Sequence, residues 1–242
     1  MLEKLTEVIY RIKIPFENIY TSVFALELED GIILADCATT SSDVENYIIP
    51  ALEKLKKEVK YISVSHSHGD HNGGLSRLKE EYPQAKVISF SQGLKDGKTI
   101  ENYTFYNLKG HSEDSMGIME NKEKTLLTFD SIQLCGVGRY GSGIEDVKAY
   151  LETVERIREF RPKTIITSHD FVPLGYLAKG EKEINEYLDF CIEYTKTTMQ
   201  FALGNKHLSP KEIAEKYNEE NKHLPPLSGN KMEALLIAAQ KE

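Results

Sequence analysis

The sequence predicts a mixed α/β (α+β) fold that continues into a helical C-terminal extension. Strand-like runs of apolar residues recur up to about residue 178, with helical patterns between them. Beyond that point only helical periodicity remains, and 242 residues suit one medium domain with a small appendage. We therefore expect a principal domain over residues 1–178 and a helical extension over residues 179–242.

The beginning of the chain is predicted to form strands followed by a helix. The runs EVIYRIKI, IYTSVFALELED and GIILAD predict three strands, and the Glu-Asp-Gly sequence at residues 29–31 predicts a hairpin between the last two. A helix follows, with Ser41 or Ser42 as its N-cap. Pro50 either kinks this helix or starts a second one, ALEKLKKEV.

Strands and helices alternate through the middle of the chain. The buried strand VKYISVSHS runs into a polar, glycine-containing loop, HSHGDHNGG, and Pro83 ends a short helix over Leu75–Tyr82. Further strands are predicted at KVISF, ENYTFYNLKG, SMGIMEN, KTLLTFD and KTIITS. Apolar residues at helical spacing over residues 147–157 predict an amphipathic helix before the last of these strands.

The extension shows three helical segments. An apolar stripe from Ile184 to Met199 predicts a long helix that ends near Gly204. The sequence Ser-Pro-Lys-Glu at residues 209–212 is a capping pattern, with serine at the N-cap, proline at N1 and glutamate at N3. LPPLSGN then separates this helix from a last one, KMEALLIAAQ. We expect the extension to pack over the candidate site or to form a homodimer surface.

Charge and cysteine content limit the binding partners and the cellular compartment that we expect. Lys and Arg number 30 against 38 Asp and Glu, so the net charge of −8 argues against a nucleic-acid partner. Cys37, Cys135 and Cys191 lie far apart without a CxxC pair, which favours reduced thiols in a cytoplasmic protein. We see neither a signal peptide nor an apolar run long enough for a membrane span, and so expect no membrane partner.

Candidate metal ligands are concentrated in one loop. His66, His68, Asp70 and His71 lie within six residues, directly after the predicted strand VKYISVSHS. Imidazole and carboxylate groups suit zinc, and also iron or manganese. Such a loop can direct the His-x-His pair to one ion and the Asp-His pair to a second. We expect its glycines to provide the backbone freedom that the turn requires.

Three more candidate ligands lie at or just past the ends of predicted strands. His111, Asp130 and His169 occupy these positions, where a sheet delivers side chains to one edge. With the loop residues they fit two metal ions that share Asp130 as a bridge and leave an open position for water.

Several other residues have less support as functional groups. Asp114 and Asp170 are either partners for ligand imidazoles or plain solvated acids. His207 and His223 are expected to be surface residues, and Cys135 an inert thiol.

A glycine-rich segment, CGVGRYGSG over residues 135–143, begins five residues after Asp130. It matches neither GxxxxGKS nor GxGxxG, so it does not predict a phosphate cradle. One interpretation is a flexible loop. The other is a lid on the substrate side, where Arg139 and Tyr140 contact an anionic or aromatic group.

The HxHxDH motif, present as SHSHGDHNGG, resembles that of the metallo-β-lactamase superfamily. The later elements also agree: Gly110-His111-Ser112, Asp130 after TLLTF, and Ser168-His169 after TIIT. Their order and separations are most similar to the glyoxalase II branch, over residues 8–178. The resemblance implies a four-layer αββα sandwich, a metallo-β-lactamase-like catalytic domain over residues 1–178, and a helical extension of the kind that helps to bind a thiol-containing substrate.

The resemblance also implies roles for the ligands. One ion is held by His66, His68 and His111, the other by Asp70, His71 and His169, and Asp130 bridges them. We therefore expect a cytoplasmic hydrolase with two divalent ions, most typically zinc, that uses a metal-bridging hydroxide on a small ester, thioester or lactone. Asp70 is the candidate catalytic residue.

The sequence departs from the superfamily pattern near two ligands. A glycine often precedes the bridging aspartate, whereas this chain has Phe129. After His111 the superfamily commonly shows Thr-Pro-Gly-Ser, whereas residues 112–115 are Ser-Glu-Asp-Ser. These differences concern local loop shape and substrate more than metal binding.

Three alternatives remain open at this point. One is a nuclease or phosphodiesterase of the same fold, for which Arg139 is the obvious phosphate-binding candidate. Another is an iron-dependent persulfide-type oxidoreductase. The third is a metal-binding sensor or interaction module without catalytic activity. An exported β-lactamase is disfavoured because no export signal is seen.

Overall fold

The computed structural model describes residues 1–17, 19–134, 144–171, 175–222, 224 and 226–239. Its chain divides into two compact units. The N-terminal unit comprises Met1–Asn107 and Asp114–Lys122, and the C-terminal unit comprises Leu108–Glu113 and Glu123–Glu242. The candidate ligands of the N-terminal unit come from one stretch, residues 66–71, whereas those of the C-terminal unit, His111, Asp130 and His169, come from separate parts of the sequence.

The N-terminal unit is built on a six-stranded sheet whose strand order follows the sequence. The first four strands pair antiparallel, and the last two add in parallel. The strands are β1 (Leu2–Lys4), β2 (Ile9–Phe16), β3 (Ile19–Leu28), β4 (Gly31–Ala35), β5 (Val59–Ser63) and β6 (Lys86–Ile88). Leu28 pairs with Gly31 across the β3–β4 turn, which confirms the predicted hairpin.

A helical segment covers one face of this sheet. It consists of α1 (Ser41–Asp43), a π-helical stretch over Val44–Ile48, and α2 (Ile49–Leu55). Val44, Ile48 and Leu52 are buried in the same apolar core as strand residues Ile12 and Ile32. Each such side chain contributes about 1.5–3 kcal/mol on burial, so the apolar stripe of the helix explains its docking.

The start of this segment differs from the prediction. Its N-cap is Thr40, and neither Ser41 nor Ser42 holds that position. Thr40 and Asp43 form a capping box, in which the Thr40 side chain accepts from the Asp43 amide and the Asp43 side chain accepts from the Thr40 amide. Pro50 lies in the first turn of α2, so it starts a second helix after the π-helical stretch.

The segment that follows β5 is partly helical. The predicted polar loop contains a single helical turn, α3 (Gly69–Asn72), before α4 (Leu75–Glu81). A 3₁₀ turn over Phe90–Gln92 leads to three further strands of this unit. These are β7 (Lys98–Ile100), β8 (Tyr103–Asn107) and β9 (Met116–Glu120), which pair antiparallel in that order.

The described part of the C-terminal unit carries three strands and four helices. β10 (Thr125–Phe129) pairs in parallel with β11 (Thr164–Phe171), which pairs antiparallel with β12 (Gly175–Lys179). The helices are α5 (Val147–Phe160), α6 (Glu181–Gly204), α7 (Pro210–Glu220) and α8 (Gly229–Ala239). The Ser209 capping box at α7 is present as predicted.

Two boundaries in this unit differ from the sequence-based ones. β11 continues to Phe171, so His169 lies within the strand and not at its end. β12 was not predicted, and the all-helical part of the chain begins at Glu181. Of the helices within the described ranges, none combines the length and apolar character that crossing a membrane requires.

Candidate metal centre

In the N-terminal unit, the candidate ligands follow directly from the end of β5. His66 and His71 are buried, whereas His68 and Asp70 are partly exposed. His68 is the N-cap of α3, so Asp70 and His71 sit together in the single helical turn that follows. The short helix therefore holds two candidate ligands at defined backbone positions.

Gly73 and Gly74 have a different role from the one predicted. Their φ angles of −60° and −84° are ordinary, so left-handed freedom is not needed there. A Cβ at Gly73 would lie 2.0 Å from the Thr39 carbonyl oxygen, and one at Gly74 would lie 2.1 Å from the Cys37 carbonyl oxygen. Glycine is required because the backbone after β4 passes this close to the backbone after α3.

The spacing of ligand atoms in this unit fits a divalent ion. His66 Nε2 lies 3.0 Å from His68 Nδ1, and His71 Nε2 lies 3.4 Å from an Asp70 carboxylate oxygen. Two ligands bound tetrahedrally at zinc distances of about 2.0–2.1 Å are separated by about 3.3–3.4 Å. The Asp70–His71 pair therefore has the separation that a shared ion would impose, whereas His66 and His68 lie at hydrogen-bonding distance.

A buried carboxylate sets the proton positions on two of these histidines. Asp36 accepts hydrogen bonds from His71 Nδ1 at 2.8 Å and from the Ser65 hydroxyl at 2.9 Å. The Ser65 hydroxyl lies 3.0 Å from His66 Nδ1, and because its own proton goes to Asp36 it accepts from that nitrogen. This network assigns both protons to Nδ1 and leaves both Nε2 lone pairs available for a metal.

Asp36 was missed in the sequence analysis, although a signal for it exists. It directly follows the buried strand GIILA, as Asp130 directly follows TLLTF. Because β4 and β5 are parallel neighbours, their ends place Asp36 beside Ser65, whose amide donates to Asp36 at 2.7 Å. Burial raises the pKa of the Asp36 carboxyl, and the His71 imidazole and the Ser65 hydrogen bonds offset part of that rise.

In the C-terminal unit, the candidate ligands meet at Asp130. One of its carboxylate oxygens lies 3.4 Å from His169 Nε2 and 3.8 Å from His111 Nε2. All three side chains are buried. His111 is delivered by the loop after β8, Asp130 by the end of β10, and His169 by β11. The structure thus brings together these widely separated ligands around one carboxylate.

Phe129, the residue that departs from the superfamily's glycine, adopts a left-handed conformation. Its φ is +49°, and the pairing of β10 with β11 shifts register between Leu127 and Phe129. A bulky residue in this conformation costs roughly 1–3 kcal/mol, whereas glycine adopts it freely. The backbone before Asp130 therefore has the shape that favours glycine, and the buried phenylalanine holds it under strain.

Asp114 and Asp170 were the acidic residues named from the sequence as possible partners of the ligand imidazoles. Asp114 lies 3.4 Å from both the amide and the hydroxyl of Ser67, which stands between two candidate ligand histidines in the sequence. Asp36, which was not predicted, bonds the imidazole of His71. His207 is exposed, as predicted. Cys135, Arg139, Tyr140 and the rest of residues 135–143 lie outside the described residues, as does His223.

The donor set of each unit suits a divalent metal. Imidazole nitrogens and carboxylate oxygens are the ligands preferred by zinc, iron and manganese in mixed N/O sites. Their side chains are largely buried, and their tautomers are set where the network can be traced. His and Asp side chains are therefore positioned for a metal site.

Comparisons with known proteins support the fold described above. The sequence model of the metallo-β-lactamase superfamily matches residues 18–89, which include β5, α3 and the HxHxDH motif. A metallo-β-lactamase of Erythrobacter litoralis superposes with a TM-score of 0.62 and 19% identity, over 79% of this chain and 96% of that one. The fold of this protein is thus the predicted metallo-β-lactamase fold.

Similarity in sequence extends to two hydrolases. Hydroxyacylglutathione hydrolase 1 of Vibrio vulnificus (strain YJ016) is 33% identical, over 59% of this chain and 63% of that protein. Atrochrysone carboxyl ACP thioesterase of Claviceps purpurea (strain 20.1) is 27% identical, over 50% of this chain and 41% of that protein. The chain spans less than two thirds of the length of either. In its sequence and its relatives the chain is similar to the metallo-β-lactamase superfamily, and its fold is that of metallo-β-lactamases.

Proposed function

We propose that this protein is a metal-dependent hydrolase of a small ester, thioester or lactone. In this proposal the protein binds two divalent ions, most typically zinc. His66, His68 and His111 would hold one ion, Asp70, His71 and His169 would hold the other, and Asp130 would be shared between them. Support for the division comes from the two candidate ligand groups, His66 with His68 and His111, and Asp70 with His71, Asp130 and His169.

The Asp36–Ser65 network carries the proposal. Asp36 accepts from His71 directly, and through Ser65 it orients His66, so a single carboxylate prepares one histidine for each proposed ion. Carboxylate–histidine pairs of this kind orient metal ligands and raise their basicity. A pair of merely structural histidines would not require both Nε2 lone pairs to be kept available.

The chain's own residues have distinct parts in this reaction. Divalent ions, when bound, supply Lewis acidity that polarises a carbonyl group and activates water near neutral pH. Asp70 is the proposed catalytic residue, because its side chain remains 21% exposed where that of His71 is fully buried. A solvent-accessible carboxylate beside the reacting groups can accept a proton from the attacking water.

Thioesters are the first substrates to test. Of the two relatives described above, that of Vibrio vulnificus is named a hydrolase and that of Claviceps purpurea a thioesterase. We also propose that residues 1–178 form the catalytic domain and residues 179–242 an extension that contributes to the site. A cytoplasmic location is proposed because the three cysteines lie far apart in the sequence without a CxxC pair.

The test combines metal content with a substrate panel. Elemental mass spectrometry of purified wild type, His68→Ala and Asp130→Ala is expected to give about two zinc ions in wild type and fewer in both variants. His207→Ala, at an exposed histidine of the extension, is the matched control and should retain wild-type content. Thioester, ester, lactone and phosphodiester hydrolysis is then assayed.

The outcomes separate the alternatives. Thioester or ester hydrolysis that falls with metal content supports the proposal. A single iron ion with no hydrolysis would redirect it to redox chemistry, and hydrolysis confined to phosphodiesters would redirect it to a nuclease. A protein that binds no metal after reconstitution would overturn it.

A further inference from the structure

One main-chain oxygen near Asp130 receives three side-chain donors. The Ile132 carbonyl accepts from the Tyr150 hydroxyl at 3.3 Å, the Tyr187 hydroxyl at 3.0 Å and the Cys191 thiol at 3.6 Å. A carbonyl oxygen offers two lone pairs, and most accept only one or two bonds. Side chains from α5 and from α6 therefore converge on a single point of the backbone.

That point lies within the turn that presents Asp130. The Ser131 amide donates to the Thr128 carbonyl at 3.0 Å, and the Gln133 amide donates to the Asp130 carbonyl at 2.9 Å. These overlapping turns fix the backbone on both sides of Asp130. Ile132 lies within the second of these turns, so donors to its carbonyl act on the backbone segment that carries Asp130.

α5, the helix that carries Tyr150, also contacts the loop that carries His111. Gly110 has a φ of +122°, and a Cβ there would lie 2.3 Å from the Tyr150 Cα. The Gly110 carbonyl accepts from the amides of Glu145 and Asp146 at the start of α5, at 2.8 and 3.1 Å. Tyr150 thus contacts the His111 loop with its backbone and the Asp130 turn with its hydroxyl.

The donors themselves are well suited to holding a fixed position. Tyr150 and Cys191 are fully buried, and Tyr187 is 8% exposed. Burial raises the pKa of the Tyr150 phenol well above its usual value, so it remains a neutral donor throughout the pH range in which an enzyme works. A buried hydroxyl that loses its acceptor is penalised, which makes alternative positions of the turn unfavourable.

We propose that Tyr150 and Tyr187 are positioning residues for the metal ligands Asp130 and His111. Because Tyr187 belongs to α6, the helical extension then forms part of the support of the metal centre and is more than an appended module. This inference rests on the proposed function only in taking Asp130 and His111 as ligands, and it does not depend on the substrate.

The experiment compares Tyr→Phe changes that remove only a hydroxyl. Tyr187→Phe and the Tyr150→Phe/Tyr187→Phe double variant remove donors to Ile132. Tyr103→Phe is the matched control, since the Tyr103 hydroxyl is also buried and donates to main-chain carbonyls, those of Val8 at 3.3 Å and Glu27 at 3.0 Å. The wild-type protein and each variant are measured for zinc affinity by chelator competition, for melting temperature without metal, and for amide exchange without metal.

We expect the changes at Tyr187 and Tyr150 to weaken zinc binding selectively. Zinc affinity should fall about 10-fold in the double variant and less in Tyr187→Phe. A loss of this size is typical when residues that orient metal ligands are replaced. The amides of Ser131 and Gln133 should exchange faster in both. Tyr103→Phe should lower the melting temperature by a similar amount while affinity and those two exchange rates stay at wild-type values.

Different results would contradict the positioning role and the proposed function. Wild-type affinity and unchanged Ser131 and Gln133 exchange in Tyr187→Phe and in the double variant would overturn the positioning role, as would an equal loss of affinity in Tyr103→Phe. A wild-type protein that binds zinc but hydrolyses nothing would overturn the proposed function alone, since affinity and exchange still test the two tyrosines. A wild-type protein that binds no zinc would overturn both.

Discussion

Replacing Asp36 with asparagine would change the tautomer of a proposed metal ligand while hardly altering the shape of the site. The Asp36 carboxylate accepts from the Ser65 amide with one oxygen, and from the Ser65 hydroxyl and His71 Nδ1 with the other. In Asp36→Asn the amide oxygen would serve the Ser65 amide, which leaves an NH₂ group facing His71. Two donors would then oppose each other, and His71 would move its proton to Nε2, the nitrogen needed for the metal.

The magnitude follows from the bond that is lost. A hydrogen bond to a charged group contributes about 1.5–3 kcal/mol, and its distance here, 2.8 Å, is that of a charge-assisted bond. Since about 1.4 kcal/mol corresponds to a factor of ten, zinc affinity should fall about 10- to 100-fold, which is the usual range for such partners. The metal-free protein should lose about 1–3 kcal/mol of stability, because the buried donors are left badly paired.

The assay measures zinc affinity by chelator competition and stability of the metal-free protein by thermal unfolding. Asp43→Asn is the matched control, since the Asp43 carboxylate also accepts two hydrogen bonds, from the Thr40 amide and hydroxyl, in the cap of α1. It should leave zinc affinity unchanged. Wild-type affinity in Asp36→Asn, or an equal loss in both variants, would refute the assigned role of Asp36.

Three further predictions concern other parts of the chain. Gly110→Ala should cost at least about 1–3 kcal/mol of unfolding free energy, because its Cβ would overlap Tyr150; an unchanged melting curve would contradict this. Ser209→Ala should cost about 1 kcal/mol through loss of the α7 cap while metal content stays constant, and a loss of metal would contradict a purely local role. Burial and the nearby Asp36 charge raise the pKa of the Cys37 thiol, so it should resist alkylation in the native protein. Because the pKa of the Cys37 thiol is higher in the folded protein, the same thiol ionises at a lower pH in the unfolded chain. The free energy of unfolding should therefore decline as pH rises above about 8.5, the pKa of a free thiol. Peptide mapping and unfolding as a function of pH check both statements.

Much of the fold was predictable because its signals are local. The hairpin between β3 and β4 needs only a Glu-Asp-Gly turn between two apolar runs, and the α7 cap needs only Ser209 and Glu212 at the correct spacing. Where local signals compete, the prediction was wrong. Thr40, Ser41 and Ser42 can all cap a helix, and the choice of Thr40 accompanies burial of Val44 and Ile48 in the core.

β12 was missed for a related reason. Residues 175–179, Gly-Tyr-Leu-Ala-Lys, carry little period-two alternation, and their pairing with β11 decides their conformation. The single turn of α3 was missed because its sequence, Gly-Asp-His-Asn, has low helix propensity. Packing of the backbone after β4 against Gly73 and Gly74 accompanies that turn.

The sequence by itself determined which groups are available for chemistry. The HxHxDH motif and the order of His111, Asp130 and His169 specify nitrogen and oxygen donors without reference to any contact. Only the tertiary structure decided how they are held, because contacts between residues distant in sequence depend on strand neighbours and helix docking. Asp36 reaches His71 because β4 lies beside β5, and the Ile132 carbonyl receives Tyr150 and Tyr187 because α5 and α6 dock where Asp130 turns. Side-chain chemistry is encoded residue by residue, whereas the direction in which a lone pair points is a property of the packed chain.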